Sequence, residues 1–176
     1  AGVGGYGITA FFLMWSYHYM PTGVATAIHF FYPVVVALLM AIFYKERLPL
    51  AVRAGIVLAI CGVYLLSWTP GEVKWLGLFF VLMSTLTYGC YITALNRPVL
   101  RRINPDVLTC YVLLFTALFY LIVAVAQGKM EIITRPRFLM DMGQLAVLST
   151  IVSARLLVAA VKLIGSVTSS VLGTLE

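Results

Sequence analysis

The sequence predicts an all-α protein, a polytopic transmembrane helical bundle, from its composition and from the length of its apolar runs. Of the 176 residues, 62% are hydrophobic and 10% are charged, and the mean hydropathy is +1.04. A soluble domain carries roughly 25% charged residues. Several runs with few charges are about 20 residues long, which at helical rise spans a hydrocarbon core of roughly 30 Å. We therefore expect a multi-pass protein of the plasma (cytoplasmic) membrane.

The basic residues and the cysteines argue against several other classes of protein. A net charge of +6 would favour nucleic-acid binding in a soluble protein. Here the basic residues lie mainly between apolar runs, as the positive-inside rule describes, so no nucleic-acid partner is expected. Cys61, Cys90 and Cys110 lie inside apolar runs and lack metal-ligand spacing. We therefore expect no cofactor and no metal.

The first predicted span covers residues 1–20, which are uncharged. Its opening is rich in glycine, which permits close contact between helices. Trp15, Tyr17 and Tyr19 lie near its end, where an aromatic belt is expected at the membrane surface. Pro21 and Gly23 then form a turn so short that the next helix must return antiparallel.

The second predicted span, residues 22–44, is the segment around which the chain is organised. Thr22, Thr26, His29 and Pro33 share one helical face. Because Pro33 lacks an amide hydrogen and clashes with the carbonyl four residues back, the helix should bend near His29, with Pro33 as the hinge. A histidine midway through a span is costly in lipid, so His29 should point inward.

The third and fourth predicted spans cover residues 51–68 and 74–95. The third carries a stripe of small residues that we expect to pack on another helix, with a homodimer seam as the alternative: Ala51, Gly55, Ala59 and Gly62. The fourth places Ser84, Tyr88 and Tyr91 on one face. These hydroxyl groups either line a polar cavity or satisfy each other between helices, and the sequence leaves both open.

The fifth and sixth predicted spans cover residues 107–126 and 142–164. They are joined by a polar connection at 127–141, and the sequence leaves open whether that connection contains a short interfacial segment. Arg155 lies near the middle of the sixth span. Translocon scales place the cost of a central Arg at roughly +2.5 to +3.5 kcal/mol, so Arg155 needs a partner. An anionic substrate, Glu176 or free backbone carbonyls would serve. A seventh helix begins after Gly165.

Basic residues on alternate connections predict the orientation. One face carries seven of them: Lys45, Arg47, Arg53, Arg97, Arg101, Arg102 and Lys162. The other carries four: Lys74, Lys129, Arg135 and Arg137. We therefore expect the connections at 45–53 and 95–106 to be cytoplasmic.

A weak internal repeat relates two of the helix starts. Residues 20–32 align without gaps to residues 164–176, an offset of 176 − 32 = 144. Thr22 then meets Ser166, Thr26 meets Ser170 and His29 meets Gly173. None of the pairs from Pro21 to Tyr32 is identical, so the polar face recurs only as a face of small residues.

Two runs resemble corresponding segments of EamA-type carriers in the drug/metabolite transporter superfamily: PTGVATAIHFFYPVVVALLMAIFYKERL and GSVTSSVLGTLE. The resemblance implies ten helices in two inverted repeats of five. This chain would be an internal fragment from the third helix to the start of the ninth, with residues 1–68 in the first repeat and 69–176 in the second. It departs from the pattern at Tyr32, where many relatives have Glu, and at Arg155, where Tyr is common, while Glu176 is kept.

Inverted repeats imply a secondary transporter that moves a small polar or amphipathic metabolite by alternating access, and not an enzyme. The predicted substrate-binding residues are Thr22, Thr26, His29, Tyr32, Ser84, Tyr88, Tyr91, Arg155, Ser166 and Ser170. His29 and Glu176 are the candidates for proton coupling. The alternatives are a non-transporting scaffold or receptor subunit and an intramembrane enzyme. The latter would need paired catalytic groups, and both Asp residues, Asp106 and Asp141, lie at span ends.

Overall fold

The computed structural model of the protein describes residues 2–45, 50–67, 74–128 and 136–173, and the elements in these ranges are all helical. The all-α, polytopic bundle predicted from the sequence is confirmed. A π-helical segment, Gly2–Gly7, leads into α1 (Ile8–Ser16). The following helices are α2 (Thr22–His29), α3 (Tyr32–Tyr44), α4 (Leu50–Ser67), α5 (Trp75–Ala94), α6 (Pro98–Arg101) and α7 (Pro105–Ala126). The last are α8 (Pro136–Gln144), a π-helical segment Leu145–Val152, α9 (Ser153–Ile164) and α10 (Ser166–Leu172).

Four helical stretches in the described ranges are long and apolar enough to cross a membrane: Thr22–Tyr44, Trp75–Ala94, Pro105–Ala126 and Pro136–Ile164. Three of them match the second, fourth and fifth predicted spans. The sixth predicted span, residues 142–164, lies within the fourth stretch, whose helix begins six residues earlier at Pro136. Proline suits a first helical turn, where its missing amide hydrogen is not needed.

Helix α5 is the centre of the bundle, and α1, α2, α3 and the Gly2–Gly7 segment all pack on it. Glycines make this packing close. A Cβ atom on Gly89 would lie 2.6 Å from Cγ1 of Val35 on α3, and one on Gly5 would lie 2.8 Å from Cβ of Tyr91. The core beside these contacts contains the fully buried Val36 and Ile92. The helices therefore approach each other as the glycine-rich opening of the chain predicts.

Helix α4 packs on the rest of the bundle only partly. A Cβ on Gly62 would lie 3.3 Å from the ring of Phe31, whereas nothing lies within 4 Å of one on Gly55. The side chains of Ala51 and Ala59 are not among those that the structure describes. The part of the small-residue stripe that can be followed therefore contacts α2–α3 at one end and is open at the other.

The predicted polar connection at 95–106 contains a short helix, α6, that the sequence did not reveal. The side chain of Asn104 then caps α7 by accepting a hydrogen bond from the amide of Asp106 at 2.9 Å. Lys162 Nζ donates to the carbonyl of Ile103, and Arg101 Nη2 donates to the carbonyl of Lys162 at 3.2 Å. These bonds fix the connection to the end of α9.

Candidate functional site

The helix at 22–44 is interrupted where the sequence predicts it. Helix α2 ends at His29 and α3 begins at Tyr32, with Phe30 and Phe31 forming a turn between them. The amide of Phe31 donates to Ile28 at 3.1 Å and that of Val34 to Phe31 at 3.0 Å, which are the short, three-residue bonds of a tightened turn. Because Pro33 has no amide hydrogen, it cannot supply the usual helical donor to the carbonyl of His29.

His29 lies at this interruption and is 9% exposed, as expected for an inward-pointing side chain. Its Nδ1 is 3.0 Å from Oγ of Ser84 on α5, and that hydroxyl donates to the carbonyl of Thr9 on α1 at 2.9 Å. A hydroxyl carries one proton, so Ser84 accepts from Nδ1 of His29 while donating to Thr9. The neutral imidazole is therefore protonated at Nδ1, and its Nε2 atom is a hydrogen-bond acceptor.

Four tyrosine rings extend from His29 and form with it what we call the aromatic cluster: His29, Tyr32, Tyr88, Tyr91 and Tyr6. The ring of Tyr88 lies 5.4 Å from that of His29 and 4.7 Å from that of Tyr32, with the two tyrosine rings at 82°. Tyr91 lies 6.2 Å from Tyr88 and 6.2 Å from Tyr6. The Tyr32–Tyr88 and Tyr6–Tyr91 pairs are edge-to-face and the Tyr88–Tyr91 pair is stacked. Edge-to-face and offset-stacked arrangements are both favourable for aromatic rings. The hydroxyl of Tyr91 is buried without a hydrogen-bond partner.

Helix α10 closes one side of the aromatic cluster. A Cβ on Gly173, just after α10, would lie 2.7 Å from the hydroxyl oxygen of Tyr32. Ser166 donates to the carbonyl of Ile92 on α5 at 2.9 Å, and Ser170 donates to its own helix at Val167 at 2.8 Å. Both serines are buried. Both serines therefore donate their hydroxyl protons within the protein. They form part of the wall of the site and do not offer hydrogen-bond donors to a ligand.

The structure brings some of the predicted site residues together and separates others. His29, Tyr32, Ser84, Tyr88 and Tyr91 are neighbours, with Ser166 and Ser170 on the adjoining helix. Thr26 is half-buried about one helical turn before His29, and its hydroxyl lies 3.4 Å from that of Tyr17, which is outside this group. Thr22 is exposed at the start of α2. Glu176, expected beside Arg155, lies outside the described residues.

Arg155 lies apart from the aromatic cluster. Its guanidinium forms a salt bridge with Asp106 at the start of α7, with Nη2 3.5 Å from the second carboxylate oxygen. The side chains are 61% and 56% exposed. The sequence predicted a substrate, Glu176 or backbone carbonyls as the partner of Arg155. The observed partner is the carboxylate of Asp106, which the sequence places at a span end without indicating a partner for it. The two meet because α7 and α9 pack side by side.

One pocket adjoins the aromatic cluster, a second shares Arg97 with that pocket, and sequence reasoning missed several of their residues. One, of about 650 Å³, is lined in part by Tyr91, Gly5 and Arg97. Another, of about 380 Å³, is lined in part by Thr93 and again by Arg97. Thr93 is buried, and its hydroxyl has no hydrogen-bond partner. Helical spacing from Ser84 and Tyr91 does not reach these residues, and Arg97 was taken only as a topogenic charge.

The part of the chain that the structure describes brings together no group of three His, Cys, Asp or Glu side chains suited to a metal ion. What the site offers is aromatic faces, one imidazole acceptor and buried hydroxyl groups. Such groups can bind a solute by stacking and hydrogen bonding.

Comparison with known proteins concerns the part of the chain that contains the interrupted helix α2–α3. Residues 1–68 match the model of the EamA-like transporter family. The chain is also 32% identical, over 108 residues, to a protein of Archaeoglobus fulgidus described as an uncharacterized transporter. That alignment covers 61% of this chain and 38% of the relative, so the chain spans well under two thirds of the relative's length. No solved structure matches the chain. The resemblance to EamA-type carriers is therefore confirmed for residues 1–68, which are similar to the EamA-like transporter family.

Proposed function

We propose that the protein is a secondary transporter that moves a small polar or amphipathic metabolite across the cytoplasmic membrane by alternating access. The observation that carries this proposal is the interrupted helix α2–α3 with His29 buried at the break and facing α5. Irregular backbone at membrane depth is tolerated where protein or a water-filled cavity satisfies the freed groups. Carriers commonly place their binding sites at such interruptions.

The contact between α3 and α10 also supports the proposal. Gly173 is the residue that the 144-residue offset pairs with His29, and it lies against the hydroxyl of Tyr32. The two segments expected to correspond in the two repeats thus meet beside the aromatic cluster. In a carrier built from inverted repeats, the solute site lies where the repeats meet.

The chemistry of the aromatic cluster favours a solute with hydrogen-bond donors and a flat or apolar part. Nε2 of His29 accepts, and the rings of Tyr88 and Tyr32 offer apolar faces. Arg155 is engaged by Asp106 at a distance from these groups and is not included in the proposed binding site. Its charge therefore gives no reason to favour an anionic substrate.

The proposed orientation places the connection at 95–106 in the cytoplasm, since it carries three arginines. The open face of α4 around Gly55 is the place where a second copy of the chain would pack if the protein is a homodimer.

Uptake and counterflow in proteoliposomes test the transport proposal directly. A panel of labelled amines, amino acids and nucleosides would be screened for counterflow by competition. For a transported solute we expect His29→Gln to reduce affinity by about tenfold, since a lost hydrogen bond is worth about 1 to 1.5 kcal/mol. His18→Gln is the matched control, because His18 is exposed at the end of the first span.

Three results would contradict the proposal. Equal effects of the two histidine substitutions would remove His29 from the site. The absence of counterflow for every solute, with a folded protein that still assembles with a partner, would favour a scaffold or receptor subunit. Chemical conversion of a lipid or peptide by the purified protein would favour an intramembrane enzyme.

A further inference from the structure

A third pocket lies away from the aromatic cluster, where α3, α5 and α9 end and α10 begins. It has a volume of about 460 Å³. Its polar lining includes Tyr44, Asn96, Arg101 and Thr168, and Leu163 and Ile164 form an apolar side. Ser166 also lines it, but its hydroxyl is used by the carbonyl of Ile92. The pocket lining is therefore amphipathic, because it contains cationic and hydroxyl groups as well as aliphatic groups.

The charge around this pocket has one sign among the residues whose positions are described. Its lining contains no acidic side chain in those ranges. The helix ends around it carry further basic residues: Lys45, Arg97, Arg102 and Lys162. The described carboxylates lie elsewhere, with Asp106 bound to Arg155 and Asp141 on α8. The described part of this surface is therefore positively charged, which favours an anion.

Arg101 is placed to meet that anion. It is exposed, and one of its terminal nitrogens donates to the carbonyl of Lys162 at 3.2 Å. That bond holds the guanidinium at the pocket, and its remaining N–H groups can donate to a ligand. A planar guanidinium with several donors matches the oxygens of a phosphate.

The apolar side of the pocket distinguishes a lipid from a free phosphate. Leu163 is 83% exposed and Ile164 is 47% exposed, both at the end of a membrane-spanning helix. Acyl chains can cover these side chains, whereas inorganic phosphate would leave them uncovered. Basic pockets between helix ends at the membrane surface are suited to anionic headgroups.

We propose that this pocket binds the phosphodiester headgroup of an anionic phospholipid, with Arg101 on the phosphate and an acyl chain along Leu163 and Ile164. The bound lipid connects the end of α9 to α3 and α5, and it thereby stabilises the elbow at Gly165 between α9 and α10. The proposal concerns a site separate from the aromatic cluster and stands whether or not the transport proposal holds.

The test uses the full chain purified in a neutral detergent and titrated with dihexanoyl phosphatidylglycerol, with native mass spectrometry measuring binding. Dihexanoyl phosphatidylcholine and inorganic phosphate are the comparison ligands. We expect saturable binding of phosphatidylglycerol and weak binding of the other two. Arg101→Gln should reduce the affinity roughly tenfold to a hundredfold, as loss of a hydrogen bond to a charged group does.

Arg102→Gln is the matched control, because Arg102 is exposed, adjacent and absent from the pocket lining. Loss of a general surface charge should weaken lipid binding by no more than about fivefold. Thr168→Trp supplies a second test, since it fills the pocket without changing its charge and should abolish binding. Equal effects of Arg101→Gln and Arg102→Gln, equal affinity for phosphatidylcholine, or equally strong binding of inorganic phosphate would overturn the proposal.

Discussion

Replacement of Ser84 by alanine tests the buried hydrogen-bond network that holds His29. Ser84 is fully buried, and its hydroxyl both accepts from His29 Nδ1 at 3.0 Å and donates to Thr9 at 2.9 Å. Ser84→Ala leaves the buried imidazole N–H without its hydrogen-bond partner. An unsatisfied buried donor costs about 1 to 3 kcal/mol, while interhelical hydrogen bonds in membranes average about 0.6 kcal/mol. We therefore expect a loss of about 1 to 3 kcal/mol in the free energy of unfolding.

The assay is equilibrium unfolding of the purified protein in mixed micelles, with Thr85→Ala as the matched control. Thr85 is also buried on α5, but its hydroxyl donates only to the carbonyl of Val81 in its own helix at 2.8 Å. Its removal leaves no donor on another helix unsatisfied. A double-mutant cycle with His29→Phe should show that Ser84→Ala costs less when the imidazole is absent. Equal losses for Ser84→Ala and Thr85→Ala, or additive effects in the cycle, would refute the assigned network.

Three further predictions concern the packing, the hinge and the ion pair. Gly89→Ala should destabilise the protein by about 1 to 3 kcal/mol in the same unfolding assay, because the new methyl group would overlap Val35. Gly55→Ala is the control, because its methyl group would meet open space and should not lower the stability. Pro33→Ala restores an amide donor to the His29 carbonyl. We therefore expect the maximal rate of counterflow to fall while the solute affinity changes little. A change in affinity with an unchanged maximal rate would contradict a role of Pro33 as a hinge. Arg155→Lys should leave solute affinity close to that of the unchanged protein. Asp106→Asn should lower stability as much as Arg155→Gln does, because each removes one partner of the same salt bridge. A loss of affinity in Arg155→Lys without loss of folding would show that Arg155 belongs to the binding site.

Much of the fold could be predicted because the membrane restricts what the chain can form. Runs of apolar residues must become helices where water is absent, so the spans at 22–44, 75–94 and 105–126 follow from composition. The interruption before Pro33 follows from the chemistry of proline alone. The helix start at Pro136 was left unresolved, because the charged residues between 136 and 141 are equally typical of a connection and of the first turns of a helix.

The site was predictable only in part, because helical periodicity identifies a face but not its neighbour. His29 and Ser84 were correctly placed on inward faces, yet their hydrogen bond depends on how α2 packs on α5. Asp106 and Arg155 are 49 residues apart, and their pairing follows from the packing of α7 on α9. Tyr6 joins the aromatic cluster because Gly5 lets Tyr91 approach the backbone. These contacts depend on tertiary packing, and the helical periodicity of a single sequence does not identify them.

Accessibility of Thr26 from the two sides of the membrane tests the central claim most directly. Thr26 is half-buried on α2, about one helical turn before His29, and Thr26→Cys in a background lacking Cys61, Cys90 and Cys110 provides one thiol for an impermeant reagent. We predict labelling from both sides of sealed vesicles, with a transported solute protecting the thiol on each side. Labelling from one side only, unchanged by any transported solute, would contradict a solute site with alternating access.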